Sequence, residues 1–252
     1  MLRRLGHALP RGPKDFMFQL ALWFGFGLLY QIARGITDHD PLRSFLNGVL
    51  VIRIEGALHT LIEPDLQRVV TETGGLLLQA VNWTYWLSQF VVLGFALLWI
   101  YLRHNDVFLR ARNWVFATNL LALVGYVLVP TAPPRMFPED GFVDTLASSG
   151  AVNHGSGLVE LASNQFAAMP SIHSANALII GFFMASLVRS RWAKLAWTLW
   201  PSWVWFSVMA TGNHYWLDVA AGVCVAMLAG TWLAWLESRN AQVPAVVTTR
   251  RW

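Results

Sequence analysis

Two histidines and an aspartate stand in this chain where ionisable groups are rare, inside or at the edge of long apolar runs. In the string GNHYWLD, His214 and Asp218 are four residues apart. A helix through them puts both on one face, with Cβ atoms about 5–6 Å apart. A carboxylate so placed accepts a hydrogen bond from one imidazole nitrogen, fixes the tautomer and leaves the other nitrogen free as a nucleophile. His173 opens another apolar run in MPSIH. At a helix start the free N–H groups and the positive end of the dipole favour an anion such as phosphate. A lone interfacial histidine is more often an anchor or a capped polar group. Three such residues on one side of a bundle, one of them an intramembrane acid, point instead to chemistry.

The elements that must position them are membrane helices. The chain has 252 residues, 56% hydrophobic and only 13% charged, against roughly a quarter charged in an ordinary soluble domain. Fourteen tryptophans and fifteen phenylalanines exceed what a small soluble core uses, and tryptophan favours the headgroup boundary. A soluble globular enzyme is therefore excluded. The net charge of +4 comes from basic residues clustered between apolar runs, the pattern of cytoplasmic loops rather than of a nucleic-acid surface. No nucleic-acid partner is expected. Cys224 is the only cysteine, so no disulfide framework exists.

The apolar runs predict an all-α, six-helix membrane bundle with spans near 16–36, 83–102, 113–130, 172–188, 195–213 and 215–236, forming one domain over 1–252. The first run is too long for a secretory signal and is kept as a span. Between the first two spans, VLVIRIEGALHTLIEPDLQRVV is too polar to cross and reads as one or two amphipathic helices at the interface or over the bundle mouth. A second long loop, 130–170, opens with PTAPPR. Sorting loops by alternating side puts 13 of the 18 Lys and Arg on one face and five on the other (Arg34, Arg43, Arg53, Arg68 and Arg135). The positive-inside bias then makes both termini cytoplasmic and places both long loops and both histidines outside, at a plasma or inner membrane.

The residues MPSIH, HYWLD followed by AAG, and PTAPPR together resemble the type 2 phosphatidic acid phosphatase (PAP2) superfamily. The branch containing inositol phosphorylceramide synthases is the most similar, and the stretch IEGALHTLIEPDLQ extends the likeness over roughly 54–222. The resemblance implies a six-helix core and metal-free histidine chemistry. His214 would attack phosphorus to form a phosphohistidine, His173 would protonate the departing oxygen and Asp218 would orient His214. Ser171 and the backbone after it would hold a nonbridging oxygen, with Asn213 beside it, and Arg135 would supply the positive clamp. Two features depart from the family. Arg103 and Arg110 have the spacing of the family's first motif, Lys-x6-Arg-Pro, but fall on the cytoplasmic face and read as positive-inside residues. The third motif places an arginine six residues before its histidine, where this chain has Val208.

Glu55, His59 and Glu63 fall at i, i+4 and i+8 on one helix face, and are candidates to contact a headgroup or an acceptor alcohol. The other reading of that face is a solvated one. No HExxH motif or paired cysteine set is present, so neither a metal nor a cofactor is expected. These residues predict a membrane enzyme that cleaves a lipid phosphoester or pyrophosphate and passes the phosphoryl group to water or an alcohol. The alternatives are a headgroup transferase of the inositol phosphorylceramide synthase type, and a non-catalytic lipid transporter or scaffold.

Overall fold

The computed structural model describes residues 9–36, 40–148 and 165–242. Arg3, Arg4, Arg250 and Arg251 of the charge sorting, and the Gly, Ser and Asn-rich part of the second long loop, lie outside them.

The described residues are helical, joined by turns and one isolated bridge between Thr131 and Ala167. In chain order the helices are α1 (Gly12–Ile36), α2 (Pro41–Ala57), α3 (Glu63–Thr73), α4 (Gly75–Leu87), α5 (Leu93–Arg103), α6 (Asn105–Leu128), α7 (Thr145–Ser148), α8 (Ile172–Leu187), α9 (Arg191–Ala210) and α10 (Trp216–Gln242). A π-turn at Ser88–Val92 joins α4 to α5, so Gly75–Arg103 runs as one long rod.

Three of these are long and apolar enough to cross a membrane: Gly12–Gly35, Gly75–Arg103 and Trp216–Asn240. The other predicted spans are helices too, of a different kind. α6 carries Asp106, Arg110 and Arg112 in its first turns. α8 is strongly apolar but has 16 residues, about 24 Å at 1.5 Å per residue. α9 begins Arg191-Trp-Ala-Lys194 and holds Pro201.

α8 lies at the centre, packed on α6, α9 and α10. Ile179, Ile180, Val115, Ile100 and Ala226 close the core between these helices. Polar side chains buried among them are bonded across helices: Asn119 donates to Asn176 (3.1 Å), Asn176 to Gln89 (3.3 Å), and Trp114 Nε1 to the Ala226 carbonyl (2.7 Å). Such bonds pin one helix against another where lipid offers no alternative partner. Gly222 lets α10 lie against the residue that starts α8, since a Cβ there would stand 2.2 Å from the Ser171 carbonyl oxygen.

The polar stretch between the first two spans forms two helices, α2 and α3. α2 begins with Asp40, whose side chain accepts from the Arg43 N–H, followed by Pro41 at the first helical position. It ends at Ala57. There His59 takes a positive φ of 56°, His59 N–H donates to the Gly56 carbonyl (3.0 Å) and Thr60 N–H to the Glu55 carbonyl (2.8 Å). These two bonds make a Schellman closure with histidine where glycine is usual. The expectation that Glu55, His59 and Glu63 share one helix face is thereby corrected, because the chain turns at His59 and Glu63 opens a new helix.

Candidate active site

The PTAPPR string approaches the start of α8 from one side and the α9–α10 turn from the other. Thr131 N–H donates to the Phe166 carbonyl (2.8 Å) and Ala168 N–H to the Thr131 carbonyl (3.3 Å), tying the string to the segment that leads into MPSIH. Arg135 N–H donates to the Gly212 carbonyl (2.8 Å). Gly212 has φ of 71°, and a Cβ there would lie 2.6 Å from the Val143 carbonyl oxygen, so a larger residue would meet both strain and a clash. Three segments distant in sequence thus meet at one end of the bundle.

His173, His214, Arg135 and Asn213 line one small cavity of about 30 Å³. The two imidazole rings are 5.7 Å apart, centre to centre. His214 is buried, and its Nδ1 is 2.9 Å from the Ala168 carbonyl oxygen and 3.4 Å from Asp218 Oδ2. A carbonyl only accepts, so this contact assigns the proton to Nδ1 and leaves Nε2 with its lone pair. Burial holds the His214 imidazole below its ordinary range, which keeps the ring neutral at pH 7. Asp218 is fully buried, and its Oδ2 accepts from the Tyr215 N–H at 2.9 Å. Its own backbone carbonyl accepts from Ser171 N–H (3.0 Å), which joins the HYWLD and MPSIH segments directly.

His173 is stacked on Tyr85 of α4, ring centres 4.5 Å apart, and its Nδ1 has no hydrogen-bond partner. Arg135 Nη1 donates to Asn213 Oδ1 (2.6 Å), and its Nε lies 3.7 Å from Asp144. Ser171 is fully buried as the N-cap of α8, where its Oγ accepts from Ser174 N–H (3.3 Å) and from the Ser174 hydroxyl (3.0 Å). It does not line the cavity.

Glu55 and Glu63 are also fully buried, away from the cavity wall. Glu63 Oε1 accepts from Trp216 N–H (2.6 Å) and Glu55 Oε1 from Leu217 N–H (3.1 Å). With Asp218 on Tyr215, three carboxylates cap three consecutive amides at the start of α10. Burial, reinforced by the neighbouring Glu63, raises the Glu55 carboxyl to about 9, and burial raises Glu63 as well. His59 is exposed at the turn between α2 and α3. Among the described residues, no group of three His, Cys, Asp or Glu side chains could hold a metal ion.

Comparison with known proteins bears on this arrangement directly. A profile of the PAP2 superfamily matches residues 50–232. The chain belongs to the PAP2 superfamily. It is 26% identical over 147 residues to a Bacteroides thetaiotaomicron protein named phosphoinositol dihydroceramide synthase, covering 53% of this chain and 48% of that one. It is 24% identical over 156 residues to a lipid A 4'-phosphatase of the same organism, covering 60% of this chain and 68% of that one. The chain thus spans about half the length of the first relative and two thirds of the second. No solved structure matches it. This PAP2 chain is therefore related both to a protein named for headgroup transfer and to one named for phosphate removal.

Sequence reasoning did not assign Arg34, Tyr85, Tyr126 or Ala168 to this cavity, and all four are on its wall. Ala168 acts through its backbone and leaves no side-chain signal. Tyr85 and Tyr126 look like ordinary aromatics of apolar helices, and Arg34 reads as an arginine at a helix end. The Arg103–Arg110 pair is remote, as expected. Arg110 pairs with Glu237 (3.5 Å) and stands sixteen residues before Tyr126 on α6, about 24 Å along the helix.

Proposed function

We propose that this chain is a membrane lipid phosphatase or phosphotransferase that works through a phosphohistidine at His214, without a metal ion. One observation carries the reading: His214 is fixed through Nδ1 on the Ala168 carbonyl and shares a cavity with His173 and Arg135. His214 Nε2 attacks phosphorus as the bond from phosphorus to the lipid oxygen breaks. His173 delivers its proton to that oxygen. Water or an alcohol then attacks phosphorus, gives its proton to His173 and breaks the N–P bond, returning His214. Arg135 and the first amides of α8 bear the charge on the phosphoryl oxygens. Asn213 holds the Arg135 fork in place.

We place the site at the outer face of the plasma or inner membrane, with both termini cytoplasmic, in a single six-span domain. The charge bias supports this orientation. Glu139→Cys in a Cys224→Ala background should react with a membrane-impermeant thiol reagent in intact cells; reaction only after lysis reverses the orientation.

The likeness to phosphoinositol dihydroceramide synthase supports a second reading, transfer of a headgroup to an alcohol. The deciding experiment uses purified protein in detergent with lipid monophosphates, pyrophosphates and diesters, followed by ³¹P NMR of the products. Acid-labile, base-stable phosphate on His214 that persists in EDTA is expected. Turnover by His214→Ala overturns the nucleophile, and a requirement for added divalent ion overturns the metal-free step.

A further inference from the structure

Arg34 closes the last turn of α1, where an arginine ordinarily extends to water along the helix end. Here it is partly buried and lines the same cavity as Arg135, Tyr85, Tyr126 and both histidines. Its guanidinium carbon lies 5.8 Å from the centre of the Tyr126 ring, which lines the same cavity. Burial pushes the Arg135 guanidinium below its ordinary value, and the charge of Arg34 adds to that push. Two guanidinium groups lining one cavity repel each other, and an anion between them reverses the sign of the interaction.

Building on the phosphoryl-transfer reading above, we propose that Arg34 is a substrate-binding residue of this pocket, forming with Arg135 a two-guanidinium clamp on one phosphoryl group. α1 then has a task beyond anchoring. It lies outside the segment matched by the family profile, residues 50–232, yet it completes the wall of the site. The Tyr126 ring under the guanidinium restricts its swing.

The test uses the full chain in detergent with inorganic phosphate as the probe, reading protection of His173 and His214 from diethylpyrocarbonate by peptide mass spectrometry. Phosphate should protect both histidines in the wild type. Arg34→Gln should need about 10- to 100-fold more phosphate, the loss of a charge-assisted hydrogen bond, while Arg53→Gln on the exposed face of α2 should match the wild type. If Arg34→Gln does not fold, Arg34→Lys carries the test. It keeps the charge at the helix end but loses the planar fork, so weaker protection supports the clamp. Equal protection in a folded Gln or Lys variant, or no protection in the wild type, overturns it. Phosphohistidine formation with unchanged protection in Arg34→Gln removes the clamp and leaves the transfer reading. Arg34-dependent protection without phosphohistidine from any lipid phosphate does the reverse.

Discussion

Glu55 and Glu63 leave two different helices and end on adjacent amides, Leu217 and Trp216, at 3.1 and 2.6 Å. The two side chains also bond to each other. Burial and the neighbouring Glu63 raise the Glu55 carboxyl, while Glu55 lowers that of Glu63, so Glu55 holds a proton and the pair braces the start of α10, two residues from His214. Glu55→Ala should lower activity and thermal stability together. Glu55→Gln should restore most of both, since an amide both accepts from Leu217 N–H and donates to Glu63. Equal losses for Ala and Gln, measured by turnover and melting temperature, would contradict the brace.

The same pair sets a pH dependence. The Glu55 carboxyl stands at about 9, above its ordinary 4.5, so between those values the folded protein holds a proton that the unfolded chain has lost. The unfolding free energy should therefore fall as pH rises from about 5 toward 9, by at most about 1.4 kcal/mol per unit. Glu63, also raised by burial, faces this group and shares the response. Melting temperature against pH should slope downward in the wild type and flatten in Glu55→Gln.

His173 and His214 should separate by leaving group. His173→Ala removes the proposed proton donor and should cost about 10²- to 10⁴-fold on alkyl lipid phosphates, but far less on an aryl phosphate whose leaving oxygen needs no proton. His214→Ala should lose both reactions alike. Rates on the two substrate types, side by side, check this.

Asp218→Asn should cost less than the loss of an orienting acid usually does. The Ala168 carbonyl already holds Nδ1 at 2.9 Å, nearer than Asp218 at 3.4 Å, so the tautomer survives. A fall in kcat of about 10- to 100-fold is expected, against the roughly 10⁴-fold seen where a carboxylate alone sets the tautomer. A loss as large as that of His214→Ala would make Asp218 the main orienting group.

Gly222→Ala should destabilise the fold by about 1–3 kcal/mol, because the added methyl meets the Ser171 carbonyl and no flexible side chain can give way. Denaturant titration in mixed micelles measures it. A parallel loss of activity is expected, since Ser171 starts the helix that carries His173.

Much of the site was legible from local spacing. His214 and Asp218 are one helical turn apart whatever the fold, and Arg135, Asn213 and His173 do meet at one cavity. The π-turn, the Schellman turn at His59 and the true ends of the helices were not legible. A histidine with positive φ breaks the pattern that glycine would have announced, and the two glutamates predicted to face a headgroup are consumed by backbone amides instead.

Apolar content, helix periodicity and the pairing of His214 with Asp218 are properties of neighbouring residues, so composition and spacing suffice to read a membrane helix bundle with a histidine site. Ala168, Arg34, Tyr85, Glu55 and Glu63 reach that site from positions 46 to 180 residues away from His214. Their roles depend on which helices pack together, and burial, hydrogen bonding and charge at such contacts arise only once the chain has folded.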